Sequence, residues 1–166
     1  MPVIIKPNAL PWLLLSLLVI ALDQLTKHIA LLSLQPLTPH AVIAGFLNWT
    51  LAFNSGAAFS FLAGADGWQR WLFTALAIGV SAVLAFSLAR TSRRDWRNAA
   101  PLALIIGGAL GNLVDRLRFG HVTDFIQVYY HDWAWPSFNI ADSAICIGAV
   151  LLVWFGVFAS ARRNTA

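Results

Sequence analysis

Aspartate residues in apolar surroundings are the feature of this sequence that most directly indicates chemistry. The chain has 166 residues, of which seven are acidic, and all seven are Asp. Five of them lie in or beside long apolar stretches: Asp23, Asp115, Asp124, Asp132 and Asp142. A carboxylate near a lipid bilayer is costly unless it is paired, hydrated or functional. These positions therefore indicate a functional site.

Asp142 lies in the segment FNIADS, which has the pattern of a helix start. Asn139 is placed to cap the helix, and Asp142 follows three residues later, as in a capping box with Asp in place of Glu. A cap needs no second carboxylate, but the sequence offers two candidate partners for Asp142. Asp115 ends an apolar segment, and Asp124 is expected on the loop that follows it. The residues alone do not choose between them.

Two neighbouring carboxylates have a characteristic chemistry. They do not both ionise easily, so the pair tends to share one proton. One carboxylate then takes a proton from water, while the protonated one hydrogen-bonds the scissile carbonyl oxygen, as in aspartic proteases. Because a helix N-terminus favours an ionised Asp142, the proton is expected more often on Asp124. Such a pair predicts hydrolysis.

The segment GGALGNLVDR places further polar residues on a helix. Gly108, Asn112 and Arg116 recur every four residues and share one face, to which Asn112 and Arg116 bring hydrogen-bond donors. Gly107 and Gly111 form a small-xxx-small pair that allows another helix to approach closely. The face with Gly107 and Gly111 is predicted to pack against another helix. The face with Asn112 and Arg116 is predicted to carry functional side chains.

Asp23 and Lys27 have the i, i+4 order that favours an ion pair on a helix. Mutual neutralisation is the structural interpretation of this pair, and a site-supporting role is the functional one. Asp115 precedes Arg116, but adjacent side chains on a helix point about 100° apart and need not pair. A structural role for Asp115 in fixing the polar cluster is therefore an alternative to chemistry.

The elements that position these residues are predicted to be membrane spans. The chain is 59% hydrophobic and only 11% charged, with a mean hydropathy of +0.71, which a soluble domain could not bury. A span takes about 20 mostly apolar residues. Four segments qualify, within a single domain over residues 1–166: Leu10 to Leu34, Trp71 to Leu88, Ala99 to Leu117, and Ile140 to Ala159. The predicted class is an all-α membrane protein.

Orientation follows from the basic residues. Lys6 precedes the first span, and further groups lie between the second and third spans and after the fourth: Arg90, Arg93, Arg94 and Arg97, and Arg162 and Arg163. The positive-inside rule therefore places both termini in the cytoplasm. Outer loops are then expected at about residues 35–70 and 118–139, and the polar residues gather near the outer face. The net charge of +4 is expected to favour contact with anionic membrane lipids and not with nucleic acid, because the basic residues cluster at helix ends.

The segment His40 to Leu62 differs from a span. It mixes β-prone and aromatic residues with Asn, Ser and Gly, which predicts short strands with a turn at the membrane surface. No HExxH pair is present and the histidines are scattered, so no metal or other cofactor is expected. Cys146 has no disulfide partner and is expected to behave as a small apolar residue.

Two other functions are alternatives to hydrolysis. In a small proton-coupled transporter, Asp23, Lys27, Asp115 and Arg116 would form a relay. The acids lie at one interface, however, and no inverted repeat is visible. A noncatalytic assembly factor would explain the packing but would leave five costly acids unassigned.

Five motifs, taken in order, resemble those of bacterial lipoprotein signal peptidase, or signal peptidase II: DQLTK, FNSGAAFS, GGALGNLVDR, VTDFI and FNIADS. The resemblance covers nearly the whole chain. It implies an aspartic endopeptidase of the bacterial inner membrane, with four transmembrane helices, an extracytoplasmic β-cradle and an active site near the periplasmic face. Members cleave prolipoproteins just before a cysteine that carries diacylglycerol, and this chain is expected to act as a monomer.

The resemblance also assigns roles to residues. Asp124 in VTDFI and Asp142 in FNIADS correspond to the catalytic pair, so the family match chooses the partner that the residues left open. The remaining matches are of two kinds. Polar positions around the substrate are Asn54, Asn112, Arg116 and Asn139, and supporting residues are Asp23, Lys27 and Asp115.

Overall fold

Helices dominate the computed structural model, which describes residues 8–56 and 67–163, with side chains described as far as Gly156. After a 3₁₀ turn at Leu10–Trp12, the elements are α1 (Leu13–Ser33), β1 (His40–Ile43), β2 (Leu47–Asn54), α2 (Trp68–Arg90), α3 (Trp96–Phe119), β3 (Val122–Tyr130), β4 (Trp133–Ala134) and α4 (Ile140–Arg163). The fold is therefore mostly helical with a small antiparallel sheet.

The four segments predicted as spans are all helical. Within the described residues, three helices are long and apolar enough to cross a membrane: Leu10–Ser33, Trp68–Arg90 and Trp96–Phe119. The described apolar part of α4, Ile140–Gly156, is shorter. Leu14 and Leu32 of α1 are 71% and 75% exposed, as expected of side chains that face lipid.

Helix α3 is the centre of the bundle, since it packs against α1, α2 and α4. Glycines make this packing close. A Cβ on Gly107 would come within 2.8 Å of Cβ of Val19 on α1, and one on Gly108 within 2.7 Å of Ile145 on α4. The predicted close approach of helices at GGALGNLVDR is confirmed, and it brings the ends of α1, α3 and α4 together.

A four-stranded antiparallel sheet has the order β1-β2-β3-β4. Its strand β3 contacts α1 and α3 of the bundle. The strands predicted between His40 and Leu62 are confirmed as far as Asn54, while residues 57–62 lie outside the described ranges. Strand β2 pairs with β3 in a register that sets Ala52 opposite Asp124. The sheet thus carries Asp124, one of the predicted site residues.

The prediction that Asp124 lies on a loop is wrong, because it lies within β3. The residues of β3, VTDFIQVYY, are rich in β-branched and aromatic side chains, which suit a half-buried strand. Pairing with β2 satisfies part of their backbone groups and includes Asp124, which lies opposite Ala52. Asp124 is therefore held by a ladder and is not free to swing.

Candidate active site

Asp124 is the buried carboxyl group that the sheet contributes to the site, with only 2% of the residue exposed. Its Oδ1 accepts a 2.7 Å hydrogen bond from Nδ2 of Asn139. Burial, followed by the negative charge of Asp142, raises the pKa of Asp124 from 3.8 to about 7. Hydrogen bonds from Asn139 and Asn54 and the charge of Lys27 oppose this increase. Asp124 is therefore poised to carry a proton near neutral pH.

Asp142 lies in the first turn of α4 and is held by the predicted capping box. Its backbone N–H donates to Oδ1 of Asn139 at 2.9 Å, and the N–H of Asn139 donates to Asp142 Oδ2 at 3.3 Å. Asp142 Oδ1 accepts a further bond of 2.7 Å from Nδ2 of Asn112. Both carboxylate oxygens thus accept N–H groups, an arrangement that suits the ionised form.

Asn139 links the two carboxyl groups. It is fully buried, and its side-chain Nδ2 donates to Asp124, to Oδ1 of Asn112 at 3.1 Å and to the carbonyl oxygen of Thr123 at 3.4 Å. Its own backbone N–H and Oδ1 bind Asp142. One residue therefore fixes the side chain of Asp124 and the helix start that carries Asp142.

Lys27 is the buried cation beside this pair. Its Nζ lies 2.8 Å from Oδ2 of Asp23, which confirms the predicted i, i+4 ion pair, and 3.1 Å from Oδ2 of Asp115. It also donates to Oδ1 of Asn112 at 3.0 Å. These three side chains are almost fully shielded from solvent, so the single cation and the two carboxylates depend on one another for their polar contacts. The predicted supporting residues are brought together with the carboxyl pair.

Arg116 and Asn54 lie on the side of the site that faces the chain after β2. Arg116 Nη2 donates to the carbonyl oxygen of Gly56 at 3.0 Å, and its guanidinium lies 5.3 Å from the ring of Phe73. Asn54 Oδ1 accepts from the N–H of Gly56 at 3.0 Å. Asn54 also forms a side-chain hydrogen bond with Asp124, which connects the chain after β2 to the carboxyl pair.

Three contacting residues were missed by the sequence reasoning. Gln24 donates from Nε2 to Oδ1 of Asp115 at 2.8 Å, although its position inside DQLTK was visible. Thr123 and Ala141 contribute only backbone groups, which no side-chain pattern reveals. Asp115 Oδ2 accepts the N–H of Thr123, and Oδ1 of Asp23 accepts the N–H of Ala141, both at 2.9 Å.

A cavity of about 430 Å³ opens beside Asp142. Its lining is largely apolar and aromatic, which suits a lipid or an apolar peptide segment. The lining residues are Asn54, Trp135, Pro136, Ser137, Phe138, Asp142, Ser143, Cys146 and Ile147. Cys146 is exposed one turn after Asp142. Across the described part of the chain, no group of three or more His, Cys, Asp or Glu side chains is arranged to hold a metal ion.

Comparisons with known proteins agree on one family. A family model described as signal peptidase (SPase) II matches residues 15–158. A lipoprotein signal peptidase of Xanthomonas campestris pv. campestris (strain 8004) is 59% identical over 161 residues, covering 97% of this chain and 96% of that protein. One from Xanthomonas euvesicatoria pv. vesicatoria (strain 85-10) is 60% identical over 153 residues, covering 92% and 89%. A solved structure described as a bacterial membrane enzyme aligns with a TM-score of 0.81 at 29% identity, covering 97% and 94%.

Proposed function

Because the chain belongs to the signal peptidase II family, we propose that it is an aspartic endopeptidase that uses Asp124 and Asp142 to remove signal peptides from prolipoproteins. Removal of signal peptides from prolipoproteins is the activity that the family and the named relatives support. The transporter alternative is not favoured, and the match to a peptidase family supports a catalytic role over a noncatalytic one. The aspartic chemistry is the further step of the proposal.

The observation that carries the proposal is the shared contact of two carboxyl groups, the buried Asp124 and the partly buried Asp142, with Asn139. Asp142 accepts N–H groups on both oxygens, whereas Asp124 has a pKa raised to about 7 by burial and by Asp142. Near neutral pH the pair therefore keeps one proton, placed on Asp124 in this proposal. A pair with one proton offers a base and an acid side by side.

In the proposed reaction, ionised Asp142 takes a proton from a water molecule, whose oxygen forms a bond to the scissile carbonyl carbon. Protonated Asp124 donates its proton to the carbonyl oxygen, so no free oxyanion develops. Collapse of the tetrahedral intermediate returns that proton to Asp124 and moves the proton on Asp142 to the leaving nitrogen. The C–N bond then breaks to give a carboxyl terminus and a free amine, and the pair regains its starting protonation.

The substrate is proposed to be a prolipoprotein whose cysteine carries diacylglycerol, cleaved just before that cysteine. The apolar cavity beside Asp142 supports this choice, because acyl chains and a signal helix are confined to the bilayer. Contacts remote from the scissile bond would then position it over the pair. Arg116, Asn54 and Asn112 are proposed to contact the substrate or to hold those groups that do.

For the membrane arrangement we propose four transmembrane helices, both termini in the cytoplasm, and an active site near the periplasmic face of the inner membrane. The charge distribution supports this, because Arg90, Arg93, Arg94 and Arg97 all lie at the α2–α3 connection. The site lies at the opposite ends of these helices, next to the sheet. The enzyme is proposed to act as a monomer in contact with membrane lipids.

A gel-shift cleavage assay with purified protein in detergent tests the proposal. One prolipoprotein is offered with and without its diacylglyceryl group to the wild type, Asp124→Asn and Asp142→Asn, with the exposed Asp132→Asn as the matched control. We expect cleavage of only the lipidated form, reduced at least about 100-fold in the two site variants and unchanged in the control. Cleavage that survives in either site variant would refute the catalytic pair. Equal cleavage of the unlipidated form would refute the substrate assignment.

A further inference from the structure

Two buried carboxylates hold the backbone immediately before each of the proposed catalytic aspartates. Asp115 on α3 accepts the peptide N–H of Thr123, the residue before Asp124, at 2.9 Å. Asp23 on α1 accepts the peptide N–H of Ala141, the residue before Asp142, also at 2.9 Å. Since these two contacts have the same form, β3 and α4 are each fixed to the helical bundle next to a reacting group.

The two carboxylates are themselves tied together. Lys27 Nζ bridges them at 2.8 Å from Oδ2 of Asp23 and 3.1 Å from Oδ2 of Asp115. Gln24 Nε2 makes a second bridge, with distances of 3.2 Å to Oδ2 of Asp23 and 2.8 Å to Oδ1 of Asp115. These residues, Asp23, Gln24, Lys27 and Asp115, form a carboxylate clamp.

We propose that Lys27 and Gln24 are positioning residues that set the separation of Asp124 and Asp142 without touching either one, by fixing the distance between Asp23 and Asp115. This inference rests on the proposed function, because it takes Asp124 and Asp142 as the catalytic pair. It assigns Gln24 a role in the reaction, and it gives the two supporting carboxylates a geometric task in place of simple charge neutralisation.

Burial makes the clamp rigid. The side chains of Lys27, Asp23 and Asp115 are 3%, 0% and 2% exposed, so water does not compete for their hydrogen bonds. A carboxylate that accepts a backbone N–H in such surroundings makes a short, strong bond. The clamp is also anchored in well-packed backbone, because a Cβ on Gly111 would lie 2.9 Å from Oδ2 of Asp23.

The chain has a second attachment on the other side of Asp124. Ile126 forms a bridge with Phe138, in which the N–H of Phe138 donates to the carbonyl oxygen of Ile126 and the reverse bond is also made, both at 2.9 Å. Along β3, Asp124 therefore lies between one residue held by Asp115 and another held by the segment before α4. Loss of the clamp would remove the direct attachment of β3 to α3, and the pairing with β2 and the bridge to Phe138 would remain. The carboxyl pair could then shift apart by a small distance.

The clamp predicts a specific pattern of coupling between its ends. Loss of the bond made by Asp23 or of the bond made by Asp115 is enough to let the separation of Asp124 and Asp142 change. Loss of both bonds should therefore lower the activity little further. We would measure kcat and KM for the lipidated prolipoprotein, per folded enzyme, in Asp23→Asn, Asp115→Asn and the double variant. In each variant an amide N–H group replaces one acceptor oxygen. Asp132→Asn, on the exposed turn between β3 and β4, is the matched control.

We expect each single variant to lower kcat at least about tenfold with KM within about twofold of wild type, since displacement of catalytic groups by about 1 Å costs up to 100-fold. The kcat of the double variant should be no more than about threefold below that of the less active single variant. Losses that multiply in the double variant, or a raised KM at constant kcat, would overturn the clamp.

Gln24→Met keeps the test decisive if the charged variants do not fold, because Gln24 is only partly buried and the change removes no charge. We expect about a threefold lower kcat at constant KM, and a basic limb of the kcat profile moved to lower pH. The limb moves because Asp124, farther from Asp142, has a pKa closer to its ordinary value. An unchanged kcat and pH profile would overturn the proposal.

The two proposals fail in different ways. Cleavage that survives in Asp124→Asn and Asp142→Asn removes the catalytic pair, and the clamp with it. If those variants are inactive but the losses in Asp23→Asn and Asp115→Asn multiply, the peptidase assignment stands and only the clamp is refuted.

Discussion

Replacing Asp124 with Asn should abolish cleavage and yet make the protein more stable above neutral pH. The carboxyl group is buried beside Asp142, and its pKa is raised from 3.8 to about 7. Ionising it in the folded state is therefore costly. An Asn side chain has nearly the same shape, can still accept the hydrogen bond from Asn139 and has no charge to bury.

The size and sign of the effect follow from this pKa. Between about pH 4 and pH 7 the unfolded chain has lost a proton that the folded protein keeps, so wild-type stability falls as the pH rises and is then constant. At about 1.4 kcal/mol for each pH unit, the fall amounts to about 4 kcal/mol. The Asn variant lacks this loss. Its advantage over wild type should be near zero at about pH 4 and about 4 kcal/mol at about pH 8.

Unfolding of both proteins by SDS in mixed micelles, followed at several pH values, measures this difference in free energy. Asp132→Asn is the control, since it removes an exposed carboxylate and should change stability by less than about 0.5 kcal/mol. A stability difference that does not grow with pH would refute the argument, because it would mean that Asp124 ionises in the folded protein as easily as in water.

Two further predictions concern the packing and the cavity around the site. Gly108→Ala should destabilise the protein by about 1–3 kcal/mol and lower cleavage, because its Cβ would collide with the carbonyl oxygen of Ala141 at the start of α4 and meet Ile145 at 2.7 Å. Gly79→Ala is the control, because a Cβ on Gly79 would have no neighbouring side chain or element within 4 Å. It should change neither the stability in thermal unfolding nor the rate of cleavage. A bulky maleimide on Cys146 should block cleavage, because the thiol lines the cavity beside Asp142. Bound prolipoprotein should slow the labelling, and Cys146→Ser should be active and insensitive, whereas full activity after complete labelling would contradict this use of the cavity.

The helices were predictable because long apolar segments have few alternatives in a membrane. Their ends were less so. Helix α2 begins at Trp68 and not at Trp71, and α3 begins at Trp96, three residues before the predicted start at Ala99. Hydropathy marks only the part of a helix that lies among apolar groups, whereas the helix continues to its cap. For α3 that cap is Asp95, which accepts from the N–H of Asn98.

The second half of the sheet was missed for a different reason. The segment Val122–Tyr130 has the composition of a strand, but a position between two spans favoured a loop. The capping box at Asn139 and the ion pair of Asp23 with Lys27 were predicted correctly, because both depend on spacing within one helix. The bond from Gln24 to Asp115 depends on how α1 packs against α3, and no local pattern specifies that.

Geometry also supports the choice that the residues left open, between Asp115 and Asp124 as partner of Asp142. Both oxygens of Asp115 are occupied, one by Gln24 and the other by Thr123 and Lys27. Lys27 lies 3.1 Å from Oδ2, so neither oxygen of Asp115 is open to a water molecule or a substrate carbonyl. Asp124 has amide donors instead of a cation in contact. In these surroundings it keeps a proton near neutral pH, which a general acid requires. Two buried aspartates only nine residues apart thus have different surroundings: Lys27 contacts Asp115, whereas burial and the charge of Asp142 raise the pKa of Asp124.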